Sequence, residues 1–96
     1  MLTANNWNVV QYAVLVHMFA RSSGLVPGEL VHVIADAHIY DRHVPLVEEL
    51  LKRTPAPAPA FTVDPGVTDF YQFTVDSFHV ENYAPAPFDV KIPVAV

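Results

Sequence analysis

Residues 5–24 read NNWNVVQYAVLVHMFARSSG, and the fold turns on that stretch. From Trp7 to Ala20 nearly every position is apolar, and the first charge in the chain is Arg21. The apolar residues spread around the whole helical wheel instead of lining one stripe, so such a helix is either buried on all sides or placed in a membrane. Asn8, Gln11 and His17 interrupt the run, and it falls short of the roughly 20 apolar residues a span requires. The stretch therefore reads as the central helix of a soluble domain. Arg21 sits in its last turn, Gly24 suits the left-handed closing position, Leu25 is placed to pack back, and Pro27 prevents re-entry. Asn5 and Asn6 are both suitable caps at the start.

A helix surrounded by protein needs cover, and a chain of 96 residues makes at most one domain. Its other segments suffice for about two sides. The rest must come from a second chain or from sequence beyond this one. Five basic residues against ten acidic give a net charge of -5 and no basic patch, which leaves nucleic-acid binding without support. The lack of cysteine excludes a disulfide scaffold and a thiolate zinc site. No signal-peptide pattern opens the chain, so a cytoplasmic protein with no membrane association is the default.

Downstream, residues 29–40 read ELVHVIADAHIY, an alternating pattern that predicts a long strand. One face carries Val31, Val33, Ala35, Ala37 and Ile39. The other ends in Asp36, His38 and Tyr40, either leading into a cleft or simply half-exposed at the strand end. Asp41 is placed to cap a second, shorter helix running to about Arg53, with Pro45 tolerated in its first turn. Glu48 and Glu49 stand four residues before Lys52 and Arg53, the favourable order for surface pairs. Residues 54–60, TPAPAPA, form a stiff extended connector. A short strand is expected at Phe61–Val63, a turn at Asp64-Pro65-Gly66, a helical turn within residues 67–71 and a second long strand over residues 72–80. A Pro-rich return then leads to an apolar end at residues 91–96. Asp36, His38 and His43 lack a recognisable metal-ligand spacing, so no metal site is expected.

Taken together, Trp7-Asn8, Tyr12-Ala13, Leu15, His17-Met18 and Ala20, then Gly28-Glu29-Leu30, then Asp36, His38, Tyr40 and His43, then Tyr83, Pro85 and Pro87, then Lys91 with Pro93-Val94-Ala95-Val96, form an ordered pattern. That pattern resembles the C-terminal portion of thymidylate synthase over the whole of residues 1–96. The resemblance implies an α+β fold, a part of the thymidylate synthase and dCMP hydroxymethylase fold, with a buried central helix, long strands and a second shorter helix. It corresponds to about the last third of the family's sequence. The chain thus reads as a fragment, a proteolytic remainder, a deliberately cut domain or a natural short paralogue.

The resemblance also implies methylation of dUMP to dTMP, with 5,10-methylenetetrahydrofolate as co-substrate and a homodimer, or association with the missing N-terminal segment, as the working form. Asn8 matches the asparagine that reads the pyrimidine: one amide can meet both the O4 acceptor and the N3 donor of uracil, and cytosine reverses that pattern. A helix-capping amide is the alternative for Asn8. His38 and Tyr40 match the pair that binds the deoxyribose 3′-hydroxyl, and their i, i+2 spacing sets both on one face. Trp7 and Ala4 fall beside the folate, although the family usually carries other residues at these two positions. Val94, Ala95 and Val96 match a tail that closes over it and excludes water. The family's nucleophile is a cysteine, and this chain has none. No catalytic residue is therefore expected within it, and the chain alone is expected to be inactive. A non-catalytic binding or assembly module of the same fold is the competing reading.

Overall fold

The computed structural model describes residues 2–94. Its elements are a long helix α1 (Asn5–Ser23), a short helix α2 (Val44–Leu51), and two strands, β1 (Ala60–Val63) and β2 (Phe78–Glu81). Single 3₁₀ turns stand at Asp41–His43, Phe70–Gln72 and Val75–Ser77. β1 and β2 pair antiparallel, with Ala60 opposite Glu81 and Val63 opposite Phe78. Helices and a small antiparallel sheet lie in separate parts of the chain, the α+β arrangement expected from the sequence.

The C-terminus of α1 closes as its residues require. Gly24 takes φ 68°, ψ 24°. Its N–H reaches the Arg21 carbonyl at 3.4 Å and the Leu25 N–H reaches the Ala20 carbonyl at 2.9 Å, the paired bonds of a Schellman closure. Leu25 itself does not pack back; it is 70% exposed. The start differs from expectation. Ala4 is the cap, with no side-chain bond. Asn5 and Asn6 lie inside the helix, and Asn6 Nδ2 donates to the Leu2 carbonyl at 3.4 Å.

The α1 helix is not surrounded here. Among the described residues only Ala20, His43, Val63 and Ser77 are buried. Its aromatic and apolar contacts lie in its C-terminal half. There His17 sets its ring edge-on to Phe61 at 4.9 Å, Phe19 stacks on Phe70 at 5.2 Å, and Arg21 Nη2 donates to the Val63 carbonyl at 3.3 Å. Trp7, Val10 and Tyr12 remain exposed. The chain exposes 7888 Å², whereas a compact monomer of its 10.6 kDa mass would expose about 5,500 Å². The excess is about three times what one partner gives to a standard interface.

The strands are shorter than the sequence pattern indicates. Residues 29–40 are extended but unpaired, and a turn at Ala35-Asp36 divides them. Alternation reports which way side chains point; it does not supply a neighbour to receive backbone hydrogen bonds, and β1 and β2 bond only to each other among the described residues. Most of residues 72–80 likewise forms no strand, because Thr74 and Ser77 form a reciprocal capping box around the turn ahead of β2. The Ser77 carbonyl then accepts the Asp64 N–H at 2.8 Å, joining the turn to the end of β1. Asn82, at φ 59°, ends β2, a conformation its short amide side chain tolerates.

Asp41 does not cap α2. It opens the 3₁₀ turn, and His43 holds the cap position with no side-chain cap bond. Lys52 pairs with Glu49 at 3.7 Å in the i, i+3 relation. Arg53 pairs with no glutamate; its Nη2 donates to the Pro87 carbonyl at 2.6 Å and its guanidinium lies over Phe88, 5.3 Å from the ring centre. Cation and aromatic ring together hold the Pro-rich return.

Gly24 supplies the first expected outcome. A Cβ there meets nothing within 4 Å, so only the left-handed backbone opposes Gly24→Ala. The cost is about 1–2 kcal/mol, read as a lower denaturant midpoint, while Gly28→Ala stays within about 0.5 kcal/mol.

Candidate functional site

The first turns of α1 place three of the singled-out residues together. Ala4 already has helical backbone angles, so the i, i+3, i+4 relation sets Ala4, Trp7 and Asn8 on one face. All three are exposed, Trp7 at 79%. One residue of this turn is tied down: Asn5 Oδ1 accepts from His32 Nε2 at 3.1 Å, which fastens the extended segment to the start of α1.

The second group stands at the end of that segment. His38 Nδ1–H donates to the Asp36 carbonyl at 2.9 Å, with the Asp36 carboxylate 3.7 Å from the same nitrogen. A neutral ring that donates from Nδ1 keeps Nε2 as an acceptor. The Tyr40 ring stands edge-on to His38, centroids 5.3 Å apart. This pair thus offers an imidazole acceptor and a phenol side by side. A hydroxyl group, which both donates and accepts, is the natural complement.

The ladder continues one step further. Tyr40 stands edge-on to His43 at 5.5 Å and 83°. His43 is buried, and its Nε2–H donates to the Pro93 carbonyl at 2.7 Å. The C-terminal segment is thereby fixed beside the ladder. Val94 follows and is exposed. Ala95 and Val96 lie outside the described residues. Among the described residues no hydrogen bond joins Asn8 to His38 or Tyr40, and no cluster of three His, Asp or Glu side chains is placed to hold a metal. Two cavities among the described residues lie elsewhere. One of about 430 Å³ is lined by His17, Arg21, Leu25 and Val63. The other, about 330 Å³, is lined by Arg53, Pro57 and Tyr83 among others.

In the sequence, His43 shows only a place in the ordered pattern and no metal-ligand spacing with Asp36 and His38. Its burial and its partner 50 residues away leave no local signature. The available signal was its place three residues after Tyr40, one turn of a 3₁₀ helix.

The family model for thymidylate synthase matches residues 1–96, and the chain belongs to that family. Among solved structures it is similar to the thermostable thymidylate synthase A from Bacillus subtilis, at 35% sequence identity and a TM-score of 0.88. The match covers 95% of this chain and 33% of that one, so the chain spans about a third of its relative's length.

Proposed function

We propose that this chain contributes to the active site of a thymidylate synthase, in which dUMP is methylated to dTMP. In this reading the His38–Tyr40 pair receives the deoxyribose 3′-hydroxyl. The support is their adjacency, with ring centroids 5.3 Å apart, in a chain matched by the family over residues 1–96. Asn8 reads the O4 and N3 edge of uracil. Trp7 and Ala4, on the same helix face, give the folate ring system an exposed indole to lie against. Val94 and Ala95 belong to the tail that shuts water out. When bound, 5,10-methylenetetrahydrofolate supplies both the carbon and the hydride. The residues named here bind and orient; none is a nucleophile.

With no cysteine among its 96 residues, the chain lacks the thiolate that such chemistry uses. The nucleophile therefore comes from polypeptide outside these residues, and the uncovered faces of α1 are where that polypeptide, or a second copy in a homodimer, packs. The same two observations favour a second reading, a non-catalytic binding or assembly module. The two readings part on one assay: only the first predicts dTMP formation when the nucleophile-bearing remainder of a synthase is supplied.

Three outcomes are expected. In the complete enzyme carrying this segment, His38→Ala and Tyr40→Phe each weaken dUMP binding by about 1–3 kcal/mol, the usual size for losing a buried polar partner. Calorimetric titration reads this, and unchanged affinity in both variants removes the sugar assignment. Asn8→Asp narrows the preference for dUMP over dCMP in a competition measurement, because a carboxyl group accepts from the cytosine amino group. An unaltered preference would mean that Asn8 does not face the base. The 96-residue chain alone, verified by mass, forms no dTMP from dUMP and methylenetetrahydrofolate; turnover above a control preparation refutes the need for an external thiolate.

A further inference from the structure

We infer that His43 is a positioning residue that sets the C-terminal segment in register with the His38–Tyr40 pair. Residues 82–94 contain no helix or strand. Among the described residues, two hydrogen bonds hold them, one from Arg53 to the Pro87 carbonyl and one from His43 to the Pro93 carbonyl. These two anchors flank α2: His43 is its cap residue, and Arg53 follows its last turn. The segment is therefore strapped along α2, running opposite to it. The anchors His43 and Arg53 lie ten residues apart, about 15 Å at helical rise, and the six-residue step from Pro87 to Pro93 reaches at most about 20 Å, so the strap can span them.

The choice of groups is chemically specific. Pro93 has no N–H, so its carbonyl is the only backbone handle at that residue. A carbonyl only accepts, which places a proton on His43 Nε2. His43 is 5% exposed, and a buried imidazole without this partner would carry the full desolvation penalty. The other side of the contact leads to the site: His43 packs edge-on to Tyr40, and Tyr40 edge-on to His38. One buried ring thus touches Tyr40, one of the two residues assigned to the sugar, and also the segment assigned to closure. The consequence for catalysis rests on the function proposed above; the strap itself does not.

The test is backbone amide relaxation on the chain as isolated, read as the heteronuclear NOE of the Ile92 and Val94 amides with Leu15 and Phe19 of α1 as internal references, because it reports restriction of the segment whether or not an amide has an acceptor. His43→Phe keeps a ring against Tyr40 and removes the donor; it drops the Ile92 and Val94 values to those of a free chain end. His43→Gln, which retains an N–H donor, restores them toward the α1 values. Unchanged values in His43→Phe, a parallel fall in α1, or free-chain values at Ile92 and Val94 in the unaltered chain each overturns the inference. In the complete enzyme, His43→Phe raises the KM for methylenetetrahydrofolate about tenfold and leaves the Kd for dUMP within about twofold. Equal losses in both overturn the positioning role. Failure of the unaltered enzyme to bind dUMP would instead refute the proposed function, with the relaxation result still deciding the role of His43.

Discussion

The chain is held together at the C-terminal end of α1. There the always-charged Arg21 donates to the Val63 carbonyl, His17 meets Phe61, and Phe19 stacks on Phe70. Ala20 and Val63, the buried apolar residues, lie on the two sides of that contact. The left-handed Gly24 ends the helix there and releases the chain into the extended segment. So small a core provides little stability by itself. The opposite end of α1 makes one side-chain link to the extended segment, Asn5 to His32. That lightly held end carries Ala4, Trp7 and Asn8.

How far the sequence could be read depends on whether the deciding interaction was local. The body of α1, its left-handed closure and the extended Pro-rich connector follow from short-range rules, and all are present. Its N-cap was misplaced because Asn5 and Asn6 find better use inside the helix, Asn5 by accepting from His32. The strand over residues 29–40 failed for another reason. Its alternation is real, but pairing needs a partner, and the described residues provide none. His38 and Tyr40 stand side by side, since i, i+2 spacing in extended chain survives the loss of a ladder. Arg53 follows Glu49 at the spacing of a helical salt bridge, yet it reaches Pro87 and Phe88 instead. No local pattern ranks an i, i+4 carboxylate against a carbonyl 34 residues away.

Charge completes the picture and bears on what must come from outside. A nucleotide monophosphate brings a dianion to a chain whose own net charge is -5, so the average field repels it. Three of the five cations already have partners: Arg21 at the Val63 carbonyl, Lys52 at Glu49, and Arg53 at Pro87 and Phe88. Moving Arg21 to a phosphate would undo the contact that joins α1 to the sheet. Moving Arg53 would release the strap from the end of α2. In the reading proposed above, with dUMP as ligand, only Arg42 and Lys91 remain in this chain to meet the phosphate, and further cations for it would come from other polypeptide. In that same reading, one partner surface answers both the uncovered length of α1 and the uncompensated negative charge: apolar where it covers the helix and basic where it meets the nucleotide.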